Sequence, residues 1–151
     1  MTEVAVSRAV DIFASVPTIT YSTAARAVEH VLEQGRSEGL RLVACVVDPS
    51  LSLVAYGRAD GATPHSVETS RRKAMTAAST RKPSALIAPE LAVALEHGTG
   101  GILTSIKGGV PLVFGGVFVG GLGVAGARPD EDAEIAARVL RLLGADTEVT
   151  A

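Results

Sequence analysis

Between Thr20 and Gly39 apolar residues recur at helical spacing. Ala24, Ala27, Val28, Val31, Leu32 and Gly35 share one face, Thr20 is a candidate N-cap and Gly39 a stop. Residues 40–47 form an apolar, β-rich run, Asp48-Pro49-Ser50 has turn chemistry, and residues 51–58 continue as a second strand. The pattern predicts a hairpin. Asp60-Gly61-Ala62 is a loop, and Thr63-Pro64 opens a second helix with proline at its first position. Its stripe of Val67, Arg71, Ala74, Met75 and Ala78 carries it to Ser79. Residues 81–88 are irregular, and Pro89 begins a short helix that ends at His97-Gly98. Three apolar segments follow, at 102–106, 110–114 and 117–125, each reading as a strand. Gly115-Gly116 is a two-residue hairpin signal, because both positions tolerate positive φ. Pro129 opens the last helix, with Asp130, Glu131 and Asp132 in the first turn, where the dipole favours acids. Ile135, Val139, Leu142 and Leu143 give that helix its apolar face.

Strands grouped as hairpins, rather than alternating with helices, point to an antiparallel sheet of about five strands with helices packed on it, an α/β fold of the α+β kind. Residues 1–19 read as an N-terminal arm, 20–144 as a single domain and 145–151 as a C-terminal tail. No internal repeat and no second domain is evident.

With 47% hydrophobic residues, the 151-residue chain can bury a core of its own. Fourteen Lys+Arg against sixteen Asp+Glu leave a charge of -2, and the chain has five aromatic rings with no tryptophan. Neither feature suits nucleic acid, so none is expected as a partner. A single cysteine, Cys45, excludes an internal disulfide or a cysteine-based metal cluster, and its apolar strand makes it a buried, inert thiol. Arg8 and Asp11 interrupt the apolar residues near the start, and residues 110–127 are broken by glycines and a proline. The expectation is therefore no membrane association and a cytoplasmic location.

Gly121-Leu122-Gly123-Val124-Ala125-Gly126 matches the dinucleotide pattern G-x-G-x-x-G, and Asp146 lies 20 residues past its last glycine. That fold needs a further parallel strand, and only eight residues follow Leu143. Close packing on the sheet face is the better reading of these glycines. Lys107-Gly108-Gly109 could offer backbone N–H groups to an anion or could simply connect strands. The second helix holds the densest polar set: His65, Ser66, Glu68, Thr69, Arg72 and Lys73. Its histidine could ligate a metal or haem or move protons; the alternative is a solvated helix face. His30 reads as structural and His97 as a helix C-terminal cation.

Three segments, taken in order, resemble the GlcG/HbpS-like family of haem-degrading-domain proteins, which includes the C-terminal domain of PduO-type proteins. The first is the helix from Thr20 with Leu42-Val43-Ala44-Cys45-Val46-Val47-Asp48. The second joins Leu53-Val54-Ala55-Tyr56 and Arg58-Ala59-Asp60-Gly61-Ala62 to a helix bearing Lys73-Ala74. The third runs from Gly108-Gly109-Val110-Pro111-Leu112 through Val119-Gly120-Gly121-Leu122-Gly123-Val124 to Pro129-Asp130-Glu131-Asp132. The resemblance implies profilin-like layers, a homo-oligomer, and a small ligand of the tetrapyrrole class such as haem. Lys107 stands where the family often has proline, Arg128 where it has a small polar residue, and His65 and Glu68 where it is small or apolar.

Two functional expectations follow. In the first the chain binds haem or a related tetrapyrrole, with His65 as the axial metal ligand and Arg72, Lys73 and Lys107 neutralising propionates. In the second it is a cofactor-independent isomerase, cyclase or lyase acting on a small carbonyl or carboxylate metabolite. His65 or Glu68 would be the general base, and Lys73 would hold the oxyanion with the Gly108 and Gly109 N–H groups. Asp60, Arg72, Lys107, Gly108 and Gly109 are the candidate ligand-binding residues. A purely structural oligomer is a third possibility.

Overall fold

The computed structural model describes residues 12–148. In chain order these form α1 (Tyr21–Ser37), β1 (Val43–Val47), β2 (Leu53–Arg58), α2 (Ser66–Thr80), a 3₁₀ turn (Ser84–Leu86), α3 (Pro89–Gly98), β3 (Gly109–Phe114), β4 (Val117–Ala125) and α4 (Pro129–Leu143). The strands make one antiparallel sheet in the order β2-β1-β4-β3.

Local chemistry sets most of the boundaries. Thr20 is extended and its Oγ1 accepts from Thr23 N at 3.3 Å, which starts α1. Arg128 N donates to Glu131 at 3.0 Å to start α4, and Gly144, at φ 72°, ends it. The β1–β2 turn is held by Asp48 Oδ1, which accepts from Ser50 N and Ser52 N. Gly115 and Gly116 both take positive φ in the β3–β4 turn, as their sequence requires. Asp146 caps that turn, accepting from Gly115 N at 3.2 Å and Gly116 N at 2.8 Å.

The two sheet faces are packed differently. On one, α1 and α4 cover Ala44, Val46, Leu112, Leu122 and Val124 in the larger core. On the other, α2 lies on Cys45 and Val47, opposite strand positions that carry no side chain. A Cβ at Gly123 would stand 1.9 Å from Ser70 O, one at Gly121 2.4 Å from Ala74 O, and one at Gly109 2.2 Å from Lys73 O. The glycines of the G-x-G match thus seat a helix backbone. No strand follows α4 among the described residues, and Asp146 is engaged by the hairpin.

The sheet has four strands, not five. Residues 102–106 lie outside it because side chains take their backbone groups. Thr76 Oγ1 accepts from Thr104 N at 2.9 Å and lies 3.1 Å from Ile102 O. Ser84 Oγ donates to Ile106 O at 2.6 Å and accepts from Gly109 N at 3.0 Å. Two hydroxyls therefore pin the base of an excursion that carries α3. Of that helix only Ala92 is buried, while Leu91 and Val93 face solvent.

The first eleven residues of the arm lie outside the described residues. The arm joins the domain at Ile19, which is buried and donates its N–H to Val119 O. In the tail, Ala145 is buried and Asp146 N donates to Val113 O at 2.8 Å. No helix of the described residues is long and apolar enough to cross a membrane.

Candidate functional site

His65 immediately precedes α2, where a 2.6 Å hydrogen bond between the Thr63 and Ser66 hydroxyls fixes the chain entering the helix. The imidazole is exposed and makes no hydrogen bond among the described residues. It lines a cleft of about 400 Å³ whose walls are largely apolar, from Ile106, Ala125, Ala127 and Pro129. Thr69 adds a hydroxyl, and Lys73 and Asp132 lie at the base.

Lys73 is 1% exposed. Its Nζ donates to Val124 O and to Asp132 Oδ2, both at 2.8 Å, while Asp132 Oδ1 accepts from Ala127 N at 3.1 Å. This pair ties α2 to α4 past the end of β4. Burial pushes the lysine pKa down, offset in part by Asp132. Burial likewise pushes the Asp132 carboxyl up, offset by Lys73 and then by the Ala127 N–H. Gly108, at φ 122°, leaves room for the pair: a Cβ there would lie 3.0 Å from Lys73 Nζ and 2.6 Å from Val124 O.

The other candidate residues divide among neighbouring surfaces. Lys107, Gly108 and Gly109 rim a second groove, of about 540 Å³, that runs along β3. Gly109 N is spent on Ser84, and Gly108 O accepts from Val124 N at 2.9 Å. Lys107 Nζ donates to Asp130 at 2.6 Å, which holds that exposed carboxyl below its ordinary pKa. Glu68 faces solvent on α2 and accepts from Arg71 and from Arg72 Nε at 3.1 and 3.2 Å. Arg72 also reaches Glu96 of the α3 excursion, at 3.9 Å, and packs over Gly101. Asp60 lies in a separate groove with Arg36, Arg41 and Arg58.

His65 and Lys73 thus share a cleft, with Gly108 against the lysine; Glu68, Arg72 and Asp60 do not join them. The sequence reading missed Asp132 as a site residue. Its only local signal was an acid in a first helical turn, which ordinarily faces water, whereas this one is 1% exposed. Among the described residues no three His, Cys, Asp or Glu side chains are grouped to hold a metal ion. The cleft therefore offers one open nitrogen ligand in an apolar mouth, above an ion pair whose donors and acceptors are already engaged.

Comparison with known proteins bears on this site. The chain matches the family described as haem degrading protein HbpS-like over residues 19–141. Among solved structures, HbpS is 31% identical, with a TM-score of 0.79 over 89% of this chain and 96% of that one. A PduOC:heme complex is 20% identical, with a TM-score of 0.80 over 87% and 99%. Klebsiella pneumoniae protein ORFY is 23% identical, with a TM-score of 0.79 over 89% and 96%. No curated protein sequence matches the chain. The family match runs from Ile19 to Arg141, over most of the chain, and the chain belongs to the HbpS-like family.

Proposed function

We propose that this protein binds haem or a related tetrapyrrole in the cleft at the start of α2, with His65 as axial ligand. The observation that carries the reading is an imidazole that, among the described residues, has no hydrogen-bond partner and stands in a largely apolar cleft. An axial histidine needs a free ring nitrogen, and a macrocycle needs an apolar wall; both are supplied here. Ile106, Ala125, Ala127 and Pro129 would contact the ring. Lys107 is the cation best placed to meet a propionate. It adjoins Ile106, and its pairing with Asp130 is exposed and exchanges at little cost. Arg72 and Lys73 are committed to carboxylates and are not assigned that role. When bound, the group would supply redox and ligand-binding chemistry at its iron, while the protein would orient it through His65 and shield one face from water.

The acid–base reading keeps its candidate base in His65, but its other parts lie elsewhere or are engaged. Glu68 lies outside the cleft, the Lys73 ammonium is held by two acceptors, and Gly109 N–H is bonded to Ser84.

The test is a haem titration followed through the Soret band. Saturable binding with a shifted band, lost or converted to a weaker form in His65→Ala, is expected. An identical spectrum in wild type and His65→Ala would remove His65 as ligand. No saturable band at all would remove the reading.

A further inference from the structure

The C-terminal turn of α1 and the open end of the β1–β2 hairpin enclose a groove of about 640 Å³. Arg36, Arg41 and Arg58 all line it, and Leu32 and Leu40 contribute an apolar floor. Topology brings them together. Arg36 is in the last turn of α1, Arg41 stands two residues before β1, and Arg58 pairs with Val43 in the sheet register. Among the described residues, no carboxylate oxygen comes within 4.0 Å of any of these three guanidinium groups. Glu38, the acid closest in sequence to Arg36 and Arg41, is taken by Arg138 of α4. Asp60 and Glu29 lie at the groove without closing an ion pair.

Such convergence runs against the protein's overall balance. The chain carries a net charge of -2, so a site that gathers three exposed arginines against two acids is not a sample of a generally basic surface. Like charges brought together repel, and the two acids of the groove, Glu29 and Asp60, form no ion pair with these arginines among the described residues. One of the three is also seated: the Arg41 guanidinium rests over Gly61, where a Cβ would stand 2.9 Å from Nη1. Gly61 is at φ +78°, so both its conformation and its lack of a side chain serve the position. Arginine presents a planar fork of donors that fits carboxylate and phosphate oxygens in pairs.

From this we infer that the groove is a binding site for a small multivalent oxyanion, a phosphorylated or polycarboxylate molecule, held by Arg36, Arg41 and Arg58. The leucine floor would accept an apolar portion of the same ligand, and Asp60 would accept from a hydroxyl or amine on it. The site is distinct from the His65 cleft and does not depend on what occupies that cleft.

Calorimetric titration of the full chain with inorganic pyrophosphate, and separately with citrate, tests it. Saturable binding of one anion per chain is expected for at least one probe, persisting at roughly 0.15 M salt, where diffuse attraction is screened. Each of Arg36→Ala, Arg41→Ala and Arg58→Ala should weaken binding by about tenfold or more, and the triple variant should abolish it. All three side chains are exposed, so the variants should keep the wild-type melting temperature. Arg141→Ala, an exposed arginine of α4 outside the groove, should bind as the wild type does. Tighter binding of pyrophosphate would assign the site to phosphoryl groups, and tighter binding of citrate to polycarboxylates. Absence of saturable binding, undiminished binding by the triple variant, or an equal loss in Arg141→Ala would each overturn the proposal.

Discussion

Replacing Lys73 with methionine keeps most of the side-chain volume and removes the ammonium, its charge and its donors together, at a position 1% exposed to solvent. Two acceptors then lose their donor: the Val124 carbonyl and Asp132 Oδ2, each 2.8 Å from Nζ in the native protein. Asp132 keeps the Ala127 N–H at 3.1 Å but is otherwise a buried carboxylate with no counter-charge. Removing one partner of a buried pair costs about 3–5 kcal/mol, because the remaining charge has been desolvated without compensation. In a protein of this size that is a drop of roughly 6–20 °C in Tm. The cost must also depend on pH. Burial already raises the Asp132 pKa above its ordinary 3.8, and loss of the lysine removes the main influence opposing that shift. A carboxyl with a raised folded-state pKa binds its proton more readily folded than unfolded. The penalty is therefore fully present above the raised pKa and is relieved as pH falls toward the unfolded value. Urea unfolding of wild type and Lys73→Met across that range, with Asp132→Asn and the double variant to close the cycle, measures both effects. A loss below about 1 kcal/mol at neutral pH, or a deficit that does not shrink on acidification, would refute the reasoning.

Other variants probe the remaining packing arguments. Gly123→Ala places a Cβ 1.9 Å from Ser70 O, a backbone atom that cannot yield without moving α2, so a loss of about 1–3 kcal/mol or more is expected in thermal unfolding; a wild-type Tm would show that the helix rides farther from β4. The Cys45 thiol, pushed up to about 12 by burial, should resist a disulfide reagent at pH 8 in the native protein and react on unfolding; prompt native labelling would contradict its burial. Asp146→Ala leaves Gly115 N and Gly116 N without their carboxylate and should cost about 0.5–2 kcal/mol, read from the urea midpoint, because the turn is exposed.

What could be read from the chain was what is decided locally. Thr20, Gly115-Gly116 and Pro129 act on the residues beside them, and each element they bound lies where the pattern put it. The segment 102–106 has the composition of a strand, but Thr76 and Ser84, both more than 20 residues away, take its backbone groups. Spacing carries no trace of a hydroxyl at such a distance. The same holds for the cleft. His65 was visible as a histidine beside a helix start, yet its neighbour Asp132 lies 59 residues from Lys73, and that acid looked like an ordinary dipole partner. The helical stripe drawn through Arg71 also missed Lys73, because a lysine in the buried stripe is unexpected until its partner is known. Fold class and the two hairpins follow from patterning; the pairing of charges across layers does not.

The excursion bearing α3 has a mechanical consequence. Thr76 and Ser84 fasten its two feet to the rest of the protein, and the helix between them buries only Ala92. The free energy needed to lift α3 is accordingly a small part of the global stability, so its amides should exchange with solvent long before those of β1 or β4. A chain break near Val93 would sever no core layer, and the chain on either side would run about nine residues before reaching a hydroxyl-pinned position, Ser84 or Ile102. The place at which this polypeptide can best be nicked, lengthened by insertion or given new termini is thus built in, on the far side of two hydrogen-bonded rivets.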